Sequence, residues 1–283
     1  IMPFSRVYLE ITNCCNLACS FCPGTTRRAA FLTVAQFTHL AGALRGQTRF
    51  LYFHVMGEPL LHPDLPELLD IAGRMGFRVV LTRNGTLLPK RQRELLAAPA
   101  LHKVSVSLHS FEANSGVDME HYLAGCTDFG LAASEAGILI DYRLWNLDGA
   151  ETRGRNEQND AILNPLHAAY PGNWTQNTWG WRLCDRTFIH YGEKFDWPSP
   201  DAPDHGEAGT CRALRDQLAV LCDGTVVPCC LDGEGRIPLG NLLAQPLDEI
   251  LAAEPARSIA AGFALQKRLH PLCRRCGYAQ RFR

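Results

Sequence analysis

Strands and helices alternate along the first half of the chain, and this alternation constrains the fold more than any other feature of the sequence. Short apolar or β-branched runs predict strands, and amphipathic runs between them predict helices. The strands are predicted at 6–12, 50–55, 77–81, 104–108 and 138–144, and the helices at 33–44, 64–75, 89–97 and 119–136, the last one broken at Gly125. So regular an alternation predicts parallel βαβ units, whose reactive groups lie at the carboxyl ends of the strands. We therefore predict an α/β protein with a partial (β/α)6 TIM-type barrel.

The second half of the chain departs from this alternation. A helix is predicted at about 160–169 and a sixth strand at 182–190, in a divergent region (146–200) that ends the barrel domain, residues 1–200. Residues 199–209 are rich in Pro, Asp and Gly and predict a linker. Residues 205–283 predict a small α+β domain, with strands 217–222 and 225–229 forming a hairpin at Asp223-Gly224 and a helix at 247–252.

Five tryptophans lie close together in the sequence at the end of the predicted barrel domain. They are Trp145, Trp174, Trp179, Trp181 and Trp197. Tryptophan offers an aromatic face and one N–H donor, so these side chains either line a substrate pocket or cap the open side of an incomplete barrel.

Composition and charge exclude several classes of partner. The formal net charge is -1, which gives no overall attraction to nucleic acid or to an anionic membrane surface. No apolar run approaches the roughly 20 residues that span a bilayer, and residues 1–10 predict a strand rather than a signal peptide. Twelve cysteines in such a chain are more typical of metal sites or catalysis than of disulfides. We therefore predict a cytoplasmic protein without a membrane or nucleic-acid partner.

Three cysteines follow the first predicted strand with the spacing C-x3-C-x2-C, and they are Cys15, Cys19 and Cys22. Three thiolates are one fewer than a cubane iron-sulfur cluster usually takes, which leaves one iron open to a non-protein ligand. The alternatives are a zinc site or unrelated buried cysteines, although a structural zinc normally takes a fourth nearby Cys or His. The spacing, with Thr12-Asn13 before it and Asn16-Leu17 within it, closely resembles the radical S-adenosylmethionine (radical SAM) superfamily.

This resemblance implies a 4Fe-4S cluster on the three cysteines, with S-adenosylmethionine bound to the open iron through its amino and carboxylate groups. An electron from the reduced cluster, supplied by a partner such as flavodoxin or ferredoxin, would cleave the sulfonium to a 5'-deoxyadenosyl radical. The protein would orient the reactants and exclude water and oxygen. Cys14 is one residue out of the family register and is interpreted as a bystander.

Further positions resemble cofactor contacts of that family. Met56-Gly57-Glu58-Pro59 stands where the family usually carries Gly-Gly-Glu, so Glu58 is expected to hold the cofactor's ammonium group, with Met in place of the first glycine. Arg143 suits a carboxylate, although a structural role is as good an interpretation for Ser107 and Arg143. The predicted cofactor-binding residues are Met56, Gly57, Glu58, Thr82, Asn84, Ser107, His109 and Arg143.

Four cysteines in the C-terminal region are enough to fill every protein position of a second cubane, and they are Cys211, Cys229, Cys273 and Cys276. Structural zinc with the same ligands is the alternative, which spacing alone does not exclude. Their order resembles the twitch domain, a short form of the SPASM domain that follows many radical SAM barrels. The full SPASM pattern continues with further cysteines, and seven residues follow Cys276, so the resemblance implies one auxiliary 4Fe-4S cluster rather than two.

The remaining cysteines and the C-terminal arginines each have two interpretations. Cys126, Cys184, Cys222 and Cys230 are either small buried apolar residues or include a thiol that donates a hydrogen atom to a substrate radical, as in related peptide epimerases, with Cys222, Cys184 and Cys126 as the candidates. Arg268, Arg274, Arg275, Arg281 and Arg283 either balance the charge of an anionic cluster or form a nucleic-acid patch, and the first is the simpler account.

The sequence leaves three functions open. The first is oxidation or other modification of a small molecule by hydrogen-atom abstraction, with the auxiliary cluster taking an electron or binding the substrate. The second is modification of a ribosomally made peptide, by crosslinking or epimerisation. Because peptide maturases often carry an N-terminal leader-binding domain and none is predicted before Arg6, we expect a small molecule. The third is a non-catalytic electron carrier, which an open iron site argues against.

Overall fold

The computed structural model describes residues 2–113, 118–146 and 157–282, with only the backbone of residues 111–113, 145, 146, 157 and 158. The strands in this part of the chain are β1 (Arg6–Leu9), β2 (Phe50–Tyr52), β3 (Arg78–Arg83), β4 (Leu101–Ser107), β5 (Leu139–Asn146), β6 (Thr175–Asn177), β7 (Gly180–Cys184), β8 (Thr187–Glu193), β9 (Gln217–Val220), β10 (Thr225–Val227) and β11 (Gly240–Asn241). The α-helices are α1 (Val34–Ala43), α2 (Leu65–Arg74), α3 (Leu88–Leu96), α4 (Met119–Glu135), α5 (Glu157–Ala169), α6 (Leu247–Ala252), α7 (Ala256–Ala264) and α8 (Pro271–Arg274). None of the helices within those ranges is both long and apolar enough to cross a membrane.

The strands join in one sheet, in the order β11-β10-β9-β1-β2-β3-β4-β5-β8-β7-β6. The six neighbours from β1 to β5 and β8 are parallel, as in a partial (β/α)6 barrel, which confirms the predicted fold class. Alternate residues of each strand point to opposite faces. Val7 and Leu9 of β1 pack in the main core, while Tyr8 between them packs with Tyr52 on the other side. We call the side of Tyr8 the inner face of the sheet.

The helix starts follow local sequence signals. Thr33 caps α1 with a reciprocal pair of contacts, since its side chain accepts from the Gln36 N–H and the Gln36 side chain accepts from the Thr33 N–H. α2 begins with Pro66 in its first turn, and Gly76, with φ +87°, follows its end. These helices and the strands β3 and β5 lie within one or two residues of their predicted bounds. β1 and β2 end three residues earlier than predicted, and β4 begins three residues earlier.

The prediction of one strand over 182–190 is wrong. The chain there forms two antiparallel strands, β7 and β8, which turn at Asp185-Arg186 and pair Arg182 with Phe188. Arg182 Nη2 donates to Asp185 Oδ1 across the turn at 2.7 Å. β8 alone is the sixth parallel strand, and β7 and β6 extend the sheet beyond it. The turn contains neither Gly nor Pro, so the sequence offered no break between the two strands.

The predicted break of α4 at Gly125 is also wrong. α4 runs without interruption, and its glycines lie where neighbouring elements approach closely. A Cβ at Gly125 would be 2.8 Å from Pro89 Cγ of α3, and one at Gly130 would overlap the hydroxyls of Tyr142 and Tyr170. The glycines therefore serve packing, and the tertiary contacts outweigh their poor helix propensity.

The C-terminal region continues the barrel sheet. β9 pairs in parallel with β1 over four residues, from Arg6↔Gln217 to Leu9↔Val220. The predicted hairpin is confirmed as the antiparallel pair β9 and β10, with Gly224 at φ +87° in its turn. The predicted helix at 247–252 is confirmed, and α7 was missed. The boundary between domains 1–200 and 205–283 stays a prediction, and residues 147–156 and 283 lie outside the described residues.

The tryptophans are spread over several environments. The Trp174 ring stacks on His167, and the Trp181 side chain is partly buried against the core. Trp179 is 69% exposed, so it neither caps the barrel nor lines an enclosed pocket. Trp197 Nε1 donates to the Phe21 carbonyl oxygen at 3.0 Å, which fastens the segment after β8 to the N-terminal cysteine region. The side chain of Trp145 lies outside the described part.

We predict that Gly130→Ala lowers the free energy of unfolding by about 1–3 kcal/mol, because the new methyl group must displace Tyr142 and Tyr170. The control is Gly42→Ala in α1, where a Cβ meets nothing within 4 Å. That substitution should raise the free energy of unfolding by roughly 0.5–1 kcal/mol. Urea unfolding of the three proteins measures both effects, and equal stability of the two variants would contradict the packing account.

Candidate functional site

The first cysteine trio lies on a loop, residues 13–30, that leaves the carboxyl end of β1 and returns beside it. Thr12 Oγ1 donates to the Ala30 carbonyl oxygen at 2.8 Å. Asn13 Nδ2 donates to the Arg28 carbonyl oxygen at 3.0 Å, and Asn13 Oδ1 accepts from the Ala30 N–H at 2.8 Å. The two polar residues before the cysteines therefore close the base of this loop, which we call the cluster loop.

Gly57 brings the turn after β2 directly against the cluster loop. Its φ is +78°, and a Cβ would lie 2.5 Å from the Thr12 carbonyl oxygen and 2.8 Å from the Cys14 carbonyl oxygen. The Glu58 N–H donates to the same Cys14 oxygen at 2.7 Å. Both the backbone conformation and the close approach require glycine here. Met56, where the family usually has its first glycine, is buried with its side chain against Gly233.

The Glu58 carboxylate is buried and bound by backbone groups. Oε1 accepts from the Leu60 N–H at 3.0 Å, and Oε2 accepts from the Asn84 N–H at 2.8 Å. Burial raises the pKa of Glu58, and the charge of Arg83 opposes that rise. The carboxylate thus joins the 3-10 helix Pro59–Leu61 to the loop after β3. Its contact with a cofactor ammonium group stays a prediction.

The three thiols of the cluster loop are neighbours. Burial raises the pKa of Cys15, and the negative charges of Glu58, Cys19 and Cys22 add to the rise. Cys15 and Cys22 are exposed, and Cys19 is partly buried. Thiolates held side by side repel one another until a positively charged group neutralises them, so this donor set fits an iron-sulfur cluster that is reachable from solvent.

The loop after β3 holds the cluster loop from the barrel side. Asn84 Nδ2 donates to Asn16 Oδ1, and Asn16 Nδ2 donates to Thr86 Oγ1, both at 2.9 Å. The predicted residue Asn84 therefore contacts the cluster loop itself. Thr82 pairs with Ser105 of β4, which places both on the inner face. Cofactor contacts of Thr82 and Asn84 stay predictions.

Three polar residues form a row across the inner face near the carboxyl ends of the strands. Ser107 of β4 pairs with Arg143 of β5, and Arg143 pairs with His190 of β8. His109 Nδ1 lies 3.0 Å from the Arg143 carbonyl oxygen. Burial and the charge of Arg143 lower the pKa of His109 to about 3, which keeps the ring neutral. The structure therefore brings together Ser107, His109 and Arg143, and their contact with a cofactor stays a prediction.

A buried carboxylate that the sequence analysis missed lies beside this row. Asp141 Oδ1 is 2.5 Å from His190 Nδ1, and Asp141 Oδ2 is 2.8 Å from Lys103 Nζ. Burial alone would raise the pKa of Asp141, but the hydrogen bond with His190 and the charge of Lys103 outweigh it and lower the pKa. The His190 side chain stays 34% exposed. The alternation of polar and apolar residues over 103–107 and 140–143 was the sequence signal for Lys103 and Asp141.

The predicted auxiliary ligands also come together in the structure, and they are Cys211, Cys229, Cys273 and Cys276. Burial raises the pKa of Cys229 well above its usual range, and the charges of Cys230, Cys211 and Cys273 add to the rise. Burial also raises the pKa of Cys273 to about 12, with the charges of Cys211 and Cys276 contributing. Cys276 is buried and the other three are partly buried, and four thiols that interact electrostatically in this way fit a cluster whose protein positions are all filled.

Among the C-terminal arginines, one is placed to balance an anionic cluster. Arg268 is buried, and its charge lowers the pKa of Cys273 and Cys276 against the effect of burial. Arg274 instead pairs with Asp204. Arg275 donates to the Ala202 carbonyl, and Arg281 lies over the Tyr278 ring. Arg283 is outside the described residues. Within the described ranges, no three His, Cys, Asp or Glu side chains converge tightly enough to hold a single metal ion.

The candidate hydrogen donors occupy three different environments. Cys126 is fully buried in α4, and burial raises its pKa to about 12. Cys184 is exposed at the end of β7. Cys222 is buried, and burial together with the charge of Glu10 raises its pKa to about 12. Cys230 packs beside Tyr8 on the inner face. A catalytic role for any of these thiols stays a prediction.

Two family models match the chain and account for both cysteine sites. Residues 9–125 match the radical SAM superfamily, and residues 211–277 match the SPASM iron-sulfur cluster-binding domain. This chain combines a radical SAM domain with a SPASM domain. The first domain binds a 4Fe-4S cluster and S-adenosylmethionine, and the second binds additional iron-sulfur clusters, so the SPASM match replaces the zinc alternative for the C-terminal site.

Known proteins resemble this radical SAM chain over different extents. A tungsten-containing aldehyde ferredoxin oxidoreductase cofactor-modifying protein of Pyrococcus furiosus is 30% identical over 146 residues, which cover 48% of this chain and 38% of that protein. The crystal structure of BtrN in complex with AdoMet and 2-DOIA has a TM-score of 0.56 at 17% identity, covering 96% of this chain and 92% of BtrN. The structure of Streptococcus suis SuiB bound to precursor peptide SuiA has a TM-score of 0.60 at 13% identity, covering 98% of this chain and 72% of SuiB. At these identities the two structures show a shared fold.

We predict that Gly57→Ala reduces iron binding at the first site, because the added methyl group must push the cluster loop away from the turn after β2. The reconstituted variant should lose up to about four irons per chain, the content of one cubane. The control is Gly24→Ala in the same loop, which also has positive φ (+64°) but open space around its Cβ. Iron and sulfide analysis measures the difference, and similar losses in both variants would refute the close-approach argument.

Proposed function

We propose that this protein is an S-adenosylmethionine-dependent enzyme that abstracts a hydrogen atom from a small polar molecule and oxidises it. The Cys15, Cys19 and Cys22 trio carries the proposal, because it supplies one thiolate fewer than a cubane has irons and lies partly exposed at the carboxyl edge of the sheet. When bound, the first cluster and S-adenosylmethionine supply the 5'-deoxyadenosyl radical, and the auxiliary cluster takes up an electron or binds the substrate. A reductant such as flavodoxin or ferredoxin and a cytoplasmic location remain predictions that accompany this proposal.

The polar inner face supports binding of the cofactor and a polar substrate. Arg143 offers a guanidinium for a carboxylate, and Ser107 stands beside it in the same row. Gly57 and Glu58 hold the turn after β2 against the cluster loop. The cysteines therefore keep a fixed position relative to the inner face of the sheet. Fixing the partners in this way is the main contribution that a protein makes when cofactors carry the chemistry.

His190 is proposed to accept the proton that an alcohol or amine loses when its carbon is oxidised. Asp141 Oδ1 lies 2.5 Å from His190 Nδ1 and orients the ring, as in carboxylate–histidine pairs of other enzymes. Nε2 is the second ring nitrogen, and the described residues provide no hydrogen-bond partner for it. Removal of one hydrogen atom, one proton and one electron from a secondary alcohol then gives a ketone, so the atoms and electrons of the oxidation balance.

The proposal is tested by anaerobic reconstitution with iron and sulfide, reduction, and measurement of 5'-deoxyadenosine with candidate alcohols and amino acids carrying deuterium. We expect deuterium in the nucleoside with the correct substrate. The triple variant of Cys15, Cys19 and Cys22 to alanine should form no nucleoside but keep about four irons on the auxiliary site. Absence of nucleoside from the reduced, iron-loaded wild-type protein would refute the enzyme proposal.

We predict that His190→Gln slows deuterium transfer and product formation by roughly 10²-fold or more, the usual contribution of a general base. Cleavage of S-adenosylmethionine without substrate should stay unchanged, because the proton is lost only from the substrate. His39→Gln, an exposed substitution on α1, is the control and should leave both rates unchanged. Equal rates for wild type and His190→Gln would remove His190 from the mechanism.

A peptide substrate is the second candidate function. Strand β6 lies at one edge of the sheet, beside the exposed Trp179, and an open edge with a neighbouring aromatic side chain suits an extended peptide. SuiB, one of the structural relatives, was crystallised with a precursor peptide. Deuterium transfer from labelled peptides, but not from small alcohols or amino acids, would favour this alternative.

A further inference from the structure

The cluster loop contacts several other parts of the protein, and one of these contacts, made by Arg27, has no assigned role. On one side, Asn16 bonds to Asn84 and Thr86 of the barrel. On the other, Arg27 reaches the C-terminal region that carries the auxiliary ligands. Within the loop, the Cys22 N–H donates to the Cys19 carbonyl oxygen at 3.0 Å. The contacts of Asn16 and Arg27 with other segments therefore help to set the position of the cysteines.

The Arg27 guanidinium donates to three separate segments. Nη2 binds Glu10 Oε1 at the end of β1 at 2.7 Å, and Nε binds the Gly233 carbonyl oxygen at 2.7 Å. Nη1 lies 3.7 Å from Cys222 Sγ. The side chain is only 15% exposed. A planar fork of donors suits this arrangement, whereas the single ammonium of lysine does not reach three directions in one plane.

The partners of Arg27 are themselves fixed. Glu10 is fully buried, and its carboxylate also accepts from the Met56 N–H and the Cys222 N–H, both at 3.0 Å. Next to Arg27, the Thr26 N–H and hydroxyl donate to the two carboxylate oxygens of Glu234, at 2.9 and 2.6 Å. The cluster loop thus contacts the C-terminal region in two places. Arg27 makes the buried contact, with Gly233 and Cys222, and Thr26 makes the exposed one, with Glu234.

The docked segment of the C-terminal region begins at an auxiliary ligand. The Asp232 N–H donates to the Cys229 carbonyl oxygen at 3.3 Å, and the Asp232 carboxylate accepts from the Arg236 and Ile237 N–H groups, both at 2.8 Å. These contacts fold residues 229–237 into a fixed turn. Cys229 therefore lies on the same turn as Gly233, and Arg27 lies five residues after Cys22.

We propose that Arg27 is a positioning residue that couples the auxiliary cluster site to the first cluster. It holds the cysteine trio in place by binding the turn that starts at Cys229, so a change at the auxiliary ligands alters the geometry of the first site. The inference rests on the two cluster sites and is independent of the substrate.

The test uses the reconstituted full chain with the substitution Arg27→Met. The control is Arg28→Met, the same replacement at the neighbouring arginine, whose side chain is exposed. We expect Arg27→Met to speed hydrogen–deuterium exchange over residues 13–30 and to change the electron paramagnetic resonance response of the reduced protein to S-adenosylmethionine. Nucleoside formation without substrate should fall by about 10-fold or more, as expected for a misplaced reacting group. The proposal would be overturned if Arg27→Met and Arg28→Met gave the same hydrogen–deuterium exchange and the same electron paramagnetic resonance spectrum.

A second pair of variants tests the coupling itself. Cys273→Ala, which removes an auxiliary ligand, should speed exchange over residues 13–30 in the wild-type background and add little in the Arg27→Met background. Additive effects would show that the two sites are independent and would overturn the proposal. If Arg27→Met does not fold, Glu234→Gln leaves the Glu10 pair intact and should produce a smaller change of the same kind. A Glu234→Gln protein identical to wild type would then count against it.

Discussion

The carboxylate of Glu10 is the contact on which the arrangement of the site depends. It lies fully buried at the end of β1 and binds Arg27, the Met56 N–H and the Cys222 N–H. A buried carboxylate is costly unless its oxygens are hydrogen-bonded and its charge is paired, and here both conditions are met by three different segments. The cluster loop, the turn after β2 and the C-terminal region therefore meet at one point, because each supplies a donor that this charge needs.

The two faces of the sheet differ in polarity. On one face, residues such as Leu9, Leu81 and Val106 pack against the helices in the main core. The inner face is polar from β4 to β8, with Ser107, Arg143 and His190 in one row. A parallel strand buried on both sides is normally apolar throughout, so alternating polar residues on central strands indicate that an apolar core does not cover this face.

The two cysteine sites differ in ways that match different tasks. Cys15 and Cys22 are exposed at the first site, which a cofactor must reach from solvent. Cys229 of the second site is partly buried, and burial raises the pKa of its thiol well above the usual range. A buried site with four protein thiolates protects its metal from exchange, whereas a three-thiolate site keeps a position open. The parallel pairing of β9 with β1 joins both sites to one sheet.

The sequence by itself determined the barrel strands and the capped helices, because periodicity and caps are local signals. It also predicted both sets of cluster cysteines from their spacing and family resemblance. It failed at Asp185-Arg186, where a turn without Gly or Pro separates two strands, and at Gly125, where packing against Pro89 outweighs helix propensity. Only the tertiary structure decided that Asp141 meets His190, that β9 joins β1, and that Arg27 binds Glu10. Each of these contacts joins residues that are at least 17 positions apart in the chain, and such contacts follow from how strands pair and loops pack rather than from any pattern within a single segment.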